Sequence, residues 1–388
     1  MAASANPLAG RIHYMDGLRA IAVLSVLFYH CVKFDRFFPE GWVKHAFFEG
    51  AHGVDLFFVI SGFVLSYPTL AKVAARGTAT FDIATYLAHR FIRILPPYIA
   101  AVVFCSLALW AIVHWNLRLG EGVINPGVSA IDVIRQLVFL DQGTRLVNLS
   151  FWSLSVEFRW YFIFPLVLLL FTRSVRAYAL LGLALVIAGG FTRMGSLDLL
   201  ELPAFMLGVA AAQLEIDKPK YAWIAGPLAI AIGVIAVATE PANYFDRVQL
   251  SWQLTVFCVV VAGGAIPWLR FALGIAPLRA IGIISYSLYL VHAPIVGVLL
   301  ANTDTRWYTA AVVATAGGAL FWFVFERPFM ATALKGRLTN WLSPRLSGAM
   351  SWLRIPTAME LKGTPEMKRE AAAAEQPIVA PEQMLPER

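Results

Sequence analysis

Charge is what this chain lacks: Asp, Glu, Lys and Arg make up 14% of its 388 residues, where soluble domains carry roughly a quarter. A surface so poor in charge is not one that water covers. The 59% of hydrophobic residues instead suits a bilayer as solvent. Cysteine is scarce as well. Cys31, Cys105 and Cys258 sit in or beside apolar runs without a CxxC pair or metal-ligand spacing, which argues against a disulfide framework and a zinc site. No repeat recurs at a fixed period. No cleaved leader is read at the start, since the first apolar run lacks a small-residue cleavage site and ends at Tyr29, His30 and Lys33. The net charge of +7 is not gathered into a basic patch interleaved with aromatics, so nucleic acid is not an expected partner.

Long apolar segments are what the chain has. A spanning helix needs about 20 mostly apolar residues, and ten segments qualify: 15–34, 52–71, 95–115, 152–171, 177–192, 198–214, 221–239, 250–268, 280–300 and 308–326. The fifth and sixth are short. With the N-terminus on the cytoplasmic side, Arg11, Lys72, Arg76, Arg90, Arg93, Arg173, Arg176, Lys218, Lys220, Arg270, Arg279 and the basic stretch from Arg327 fall inside. That is the side the positive-inside rule favours. The expected fold is therefore all-α, a polytopic transmembrane helical bundle of about ten spans with both termini cytoplasmic. Residues 1–330 read as the membrane domain. Residues 331–388 read as a cytoplasmic tail, interfacial around Met350, Trp352 and Leu353 and disordered from about 360.

Ionisable groups within spans are costly, so each is a functional candidate. Arg19 and His30 are 11 residues apart in the first segment. That spacing places them roughly 16 Å apart along a helix and close to one face. A positive-inside anchor explains Arg19 equally well, and a satisfied buried imidazole explains His30. Asp16 is placed to pair with Arg19 at i,i+3. Asp55, at the start of the second segment, lies at a depth similar to His30, where its carboxylate could fix the imidazole tautomer. A helix-start acid is the simpler alternative. Arg90 and Arg93 form an Arg-x-x-Arg pair whose forks suit phosphate, or which simply marks the inner side. Trp152, Ser153 and Glu157 gather at the outer entrance of the fourth segment. Ser285, Tyr289 and His292 form a polar stripe on the ninth. Glu326 before Arg327-Pro328 reads as structural.

Together these stretches resemble a known family. Met15-Asp-Gly-Leu-Arg-Ala-Ile-Ala-Val23 through His30, Gly53-Val-Asp-Leu-Phe-Phe-Val-Ile-Ser-Gly-Phe63, Arg90-Phe-Ile-Arg93, Trp152-Ser-Leu-Ser-Val-Glu157, Ile284-Ser-Tyr-Ser-Leu-Tyr-Leu-Val-His292 and Glu326-Arg-Pro328 are similar, in this order, to the integral membrane acyltransferase 3 family. The resemblance implies O-acylation, most often O-acetylation, of a glycan or sugar-containing acceptor at the inner (plasma) membrane. It implies cytosolic acyl-CoA as co-substrate, with no separate cofactor or metal. It points to His30 and Asp55 as catalytic and to Arg19, Arg90 and Arg93 as donor-binding. Trp152, Ser153, Glu157, Tyr289 and His292 become the candidate acceptor site. The hydrolase-like domain that some members append is not expected. One departure stands out: Phe158 and Arg159 follow Glu157, where the family commonly continues with a polar or acidic residue and then Gln. The competing class is a multi-span transporter or flippase of a glycan precursor, for which intramembrane His, Asp and Glu would serve proton coupling.

Overall fold

A computed structural model describes residues 12–118, 127–140, 147–148, 150–191, 197–239 and 249–363. The elements are α1 (His13–Phe34), α2 (Trp42–Phe48), α3 (Gly53–Arg76), β1 (Thr78–Asp82), α4 (Ile83–His114), α5 (Ala130–Leu137), α6 (Phe151–Arg173), α7 (Val175–Phe191), α8 (Leu197–Asp217), α9 (Ala225–Thr239), α10 (Leu250–Ala265), α11 (Pro267–Leu273), α12 (Ala276–Asn302), α13 (Trp307–Phe321), α14 (Arg327–Met330), α15 (Thr332–Trp352) and β2 (Ala358–Lys362).

Each of the ten apolar segments holds a helix. Eight helices among the described residues are long and apolar enough to cross a membrane. The segment at 250–268 is broken into α10 and α11, which meet at 101°. Ile266 is extended there and Pro267 opens α11, since a proline without an N–H fits only a helix's first turn. The segment at 177–192 is the shorter apolar helix α7. The outer face of the bundle is apolar: Ile230 is 72% and Val312 69% exposed, as befits lipid and not water. The chain is thus a multi-pass helical membrane protein.

Close helix approaches order the interior. α1 runs against α12 and α3, and α3 against α8. Gly62 and Gly208 face each other across α3 and α8, where a Cβ on either would collide with the opposing backbone. Gly282 of α12 meets the Asp16 carbonyl of α1 in the same way. Small residues at such crossings let backbones approach where no water drives association. A π-helical turn over Trp322–Glu326 separates α13 from α14. It buries Glu326, whose carboxylate accepts a 2.6 Å hydrogen bond from the Ser287 hydroxyl.

Beyond residue 330 the chain is ordered as far as it is described. α15 packs along α4, with Thr85 Oγ1 and Ser343 Oγ 2.9 Å apart. β2 pairs antiparallel with β1, Thr78 opposite Lys362 and Asp82 opposite Ala358. Residues 358–362 form a strand, which takes in the first residues of the stretch from about 360 that composition suggested to be disordered. Met350 is buried against this end, while Trp352 and Leu353 are exposed. The remainder of the tail lies outside the described residues, as do Gly120, Gly122, Asn125 and Pro126 of the long loop after α4.

Candidate active site

α1, α3, α4, α6 and α12 line a cavity of about 90 Å³. Its wall includes Arg19, Ser61, Arg90, Arg93, Ser153, Glu157, Tyr161, Ser285 and Tyr289. Seven of these are residues that the sequence singles out, drawn from four helices. Helical spacing explains their convergence. Arg90 and Arg93 at i,i+3 share one side of α4, and Ser285 and Tyr289 at i,i+4 share one side of α12.

The cavity differs in chemistry from end to end. At the end nearest β1 and β2 stand the three arginines. Arg19 Nη1 is 3.3 Å from Asp16 Oδ1, the expected i,i+3 pair. Arg90 and Arg93 make no ion pair with a carboxylate within 4.0 Å among the described residues, and Arg90 Nε is buried without a hydrogen-bond partner there. Further in, the Ser61 hydroxyl donates to Glu157 Oε1 at 2.5 Å. The Ser153 and Tyr289 hydroxyls are 2.6 Å apart, closing the wall between α6 and α12.

His30 and His292 do not line the cavity but stand behind Tyr289, bonded to each other. His292 Nε2 is 3.2 Å from His30 Nδ1. His30 Nδ1 is also 2.9 Å from the Val26 carbonyl oxygen, and His292 Nδ1 is 2.8 Å from that of Tyr289. A carbonyl only accepts, so both Nδ1 atoms carry hydrogen when the rings are neutral. His30 Nδ1–H then divides its bond between the Val26 oxygen and the lone pair of His292 Nε2. The lone pair of His30 is left on Nε2, where no described residue bonds to it. His30 thus holds a proton acceptor on one nitrogen while the other is fixed by a neutral neighbour.

That neighbour is a correction. The sequence pairs His30 with Asp55 on the grounds of equal depth. The structure gives Asp55 to His52: Asp55 Oδ2 accepts from His52 Nδ1 at 2.7 Å, and the His52 ring stacks on Trp252 with centroids 4.4 Å apart. The histidine pair takes the place of the expected acid–histidine pair. Trp152 is buried beside this region at the start of α6 but does not line the cavity. Phe158 and Arg159 also turn away from it. Phe158 stacks on Phe139 at 3.9 Å, and Arg159 Nη1 donates to the Phe139 carbonyl at 2.9 Å. They anchor the turn after α5, so the departure at these positions leaves Glu157 in the cavity wall.

Three wall residues escaped the sequence reading. Ser61 lies within a quoted stretch but shows no charge or spacing to mark it. Tyr286 lies within another quoted stretch and Tyr161 just beyond one, equally without a charge to mark them. Tyr286 is held by its hydroxyl's 3.1 Å bond to the Ile94 carbonyl of α4.

Comparison with known proteins adds a lineage to this geometry. A family model described as an acyltransferase domain matches residues 12–327. The chain is similar to the O-acetyltransferase OatA of Staphylococcus aureus, strains NCTC 8325 / PS 47, COL and MRSA252. Each is 26% identical over 322 residues, covering 73% of this chain and 50% of the relative. The chain thus spans about half the length of the curated relatives it matches. No solved structure matches it.

Proposed function

The chain belongs to the acyltransferase family whose model its residues 12–327 match, and on that premise we propose that it O-acetylates a glycan or sugar-containing acceptor with acetyl-CoA at the inner membrane. The observation that carries this reading is the polarity of the cavity. Two arginines with no carboxylate within 4.0 Å among the described residues stand at its basic end, and hydroxyls backed by a histidine pair stand at the other. A donor with phosphates at one end and a thioester at the other matches that order. α1 spans both ends, with Arg19 at one and His30 11 residues on, roughly 16 Å along the axis.

In the proposed step, acyl-CoA enters from the cytosol with its phosphates on Arg90 and Arg93, Arg19 contributing beside Asp16. The acceptor hydroxyl meets His30 Nε2, which removes its proton as the oxygen attacks the thioester carbonyl. When the tetrahedral intermediate collapses, the C–S bond breaks and the CoA sulfur leaves with the proton that His30 returns. The imidazolium formed in between shares its Nδ1–H with His292 Nε2 and the Val26 carbonyl. Both are neutral acceptors that favour the charged ring. Glu157, Ser153 and Tyr289 supply acceptor-side hydrogen bonds, with Trp152 behind them. Asp55 acts through His52 and the packing of α3. The family match does not favour the transporter alternative.

His30→Gln and His30→Ala in purified, folded protein test this. A general base is worth about 10²–10⁴-fold, so acetyl transfer to a sugar acceptor, followed as CoA thiol release, should fall by that range. Turnover close to the unmodified protein would remove His30 from the chemistry.

A further inference from the structure

The cations at the basic end are not confined to the family-matched residues. Lys335 lies beyond them, on α15. β1 leads into α4 and α15 leads into β2, and the strands are antiparallel, so α15 runs opposite to α4. The helices are fastened by Thr85 to Ser343 at 2.9 Å and by Ile83 N–H to the Thr357 carbonyl at 2.9 Å. From Thr85, eight residues along α4 reach Arg93, and from Ser343, eight residues back along α15 reach Lys335. At 1.5 Å per residue both steps cover about 12 Å in the same direction, which brings Lys335 level with Arg93.

The electrostatics agree with this placement. Burial, then the charges of Arg90 and Arg93, hold the Lys335 ammonium below the ordinary lysine pKa. Among the described residues no carboxylate lies within ion-pairing distance of Arg90, Arg93 or Lys335. His89, one residue from Arg90, also senses Lys335, and Asp82 is the acid that it senses. That acid is engaged at the α4 N-terminus, where its carboxylate caps Thr85 N–H at 2.9 Å. Arg90 senses Glu157 and Arg93 senses Glu326, but both acids lie beyond ion-pairing distance and accept hydrogen bonds from Ser61 and Ser287, so a bound anion relieves the repulsion among the three cations. Arg90 Nε is a buried donor with no hydrogen-bond partner among the described residues.

We propose that α15 completes the anion site at the basic end of the cavity, with Lys335 as a further phosphate-binding cation, the third without a carboxylate in ion-pairing distance among the described residues, beside Arg90 and Arg93. The ligand class is a polyphosphorylated donor such as CoA, gripped between α4 and a helix outside the family-matched residues. The proposal rests on the donor reading above, and the test separates the two.

CoA binding is measured on the full chain in detergent, for the unmodified protein, Lys335→Gln, Lys335→Arg and Arg90→Gln. One charge-assisted contact predicts about a tenfold weaker affinity for Lys335→Gln. It also predicts a shallower dependence of affinity on salt, with affinity regained in Lys335→Arg. A structural role for the lysine would leave the salt dependence unmoved. Normal CoA affinity in Lys335→Gln, with weakened binding in Arg90→Gln, overturns the third cation and leaves the donor reading standing. Failure of Lys335→Arg to regain affinity also overturns it, because charge is then not what matters. No CoA binding by the unmodified protein overturns both readings.

Discussion

At the scale of single residues, the histidine pair carries a prediction that a lone histidine would not. In the proposed step His30 takes the proton, so the effect of His292 must pass through its 3.2 Å contact with His30 Nδ1. It is a positioning residue. His292→Phe keeps a ring but removes the acceptor, and kcat should fall about tenfold, the worth of one net hydrogen bond near 1.4 kcal/mol. His292→Gln keeps an acceptor and should recover part of that loss. Both changes should leave KM for acetyl-CoA unaltered, since His292 is remote from Arg90 and Arg93. Equal losses in the two variants, or a loss seen in KM, would reduce His292 to packing. The same scale shows what a sequence can and cannot disclose. Arg19 and His30 share a helix, so their common face follows from spacing alone. Asp55 and His30 lie on different helices. Hydropathy sets the depth of each, but not its angle around the bundle, and that angle gives Asp55 to His52 and His30 to His292. The Ser153–Tyr289 contact joins residues 136 apart in the chain, which no local pattern encodes.

At the scale of elements, crossings matter more than lengths. Every apolar segment became a helix because, in lipid, a backbone must satisfy its own N–H and C=O groups. Apolarity does not say which helices touch. The α3–α8 crossing is set by Gly62 and Gly208, which are unremarkable within their segments until paired. Adding a methyl group at Gly208 would press it against the Val59 carbonyl of α3, a backbone atom that cannot swing aside. Gly208→Ala should therefore force the helices apart, at about 1–3 kcal/mol for overpacking. The measurement is the thermal unfolding midpoint in detergent beside that of Gly336→Ala, where nothing lies within 4 Å of the added carbon. An unchanged midpoint for Gly208→Ala would mean that α3 and α8 do not meet as described. Ser61 lies one residue from Gly62, so the same crossing positions the hydroxyl that donates to Glu157.

At the scale of the whole molecule, two contacts determine which ends of the helices share a side. β1 follows α3 and β2 follows α15, and their pairing keeps both on one side of the membrane. The chain must cross an even number of times between them. α4, α6, α8, α9, α12 and α13 cross by length and apolarity, and the stretches between the apolar segments hold no further run of about 20 mostly apolar residues. So α7 and the bent α10–α11 pair either both cross or both fail to. A second contact decides between these. The Tyr14 hydroxyl donates to Glu215 Oε2 at 3.1 Å, which brings the end of α8 to the start of α1. With α1 and α3 making the first two crossings, α8 can finish on that side only if α7 crosses, and then α10–α11 crosses too. The expectation is then ten crossings, with Lys218 and Lys220 joining Lys362 on the side that the positive-inside rule makes cytoplasmic. Cysteine labelling tests this directly, because Cys31, Cys105 and Cys258 are buried. An impermeant maleimide should reach Lys220→Cys and Lys362→Cys only in inverted vesicles, and Trp42→Cys, 81% exposed after α1, only in intact cells. If Lys220→Cys labelled from outside while Lys362→Cys did not, α7 would not cross, and the basic end would lose the continuity with α1 on which a cytosolic donor path depends.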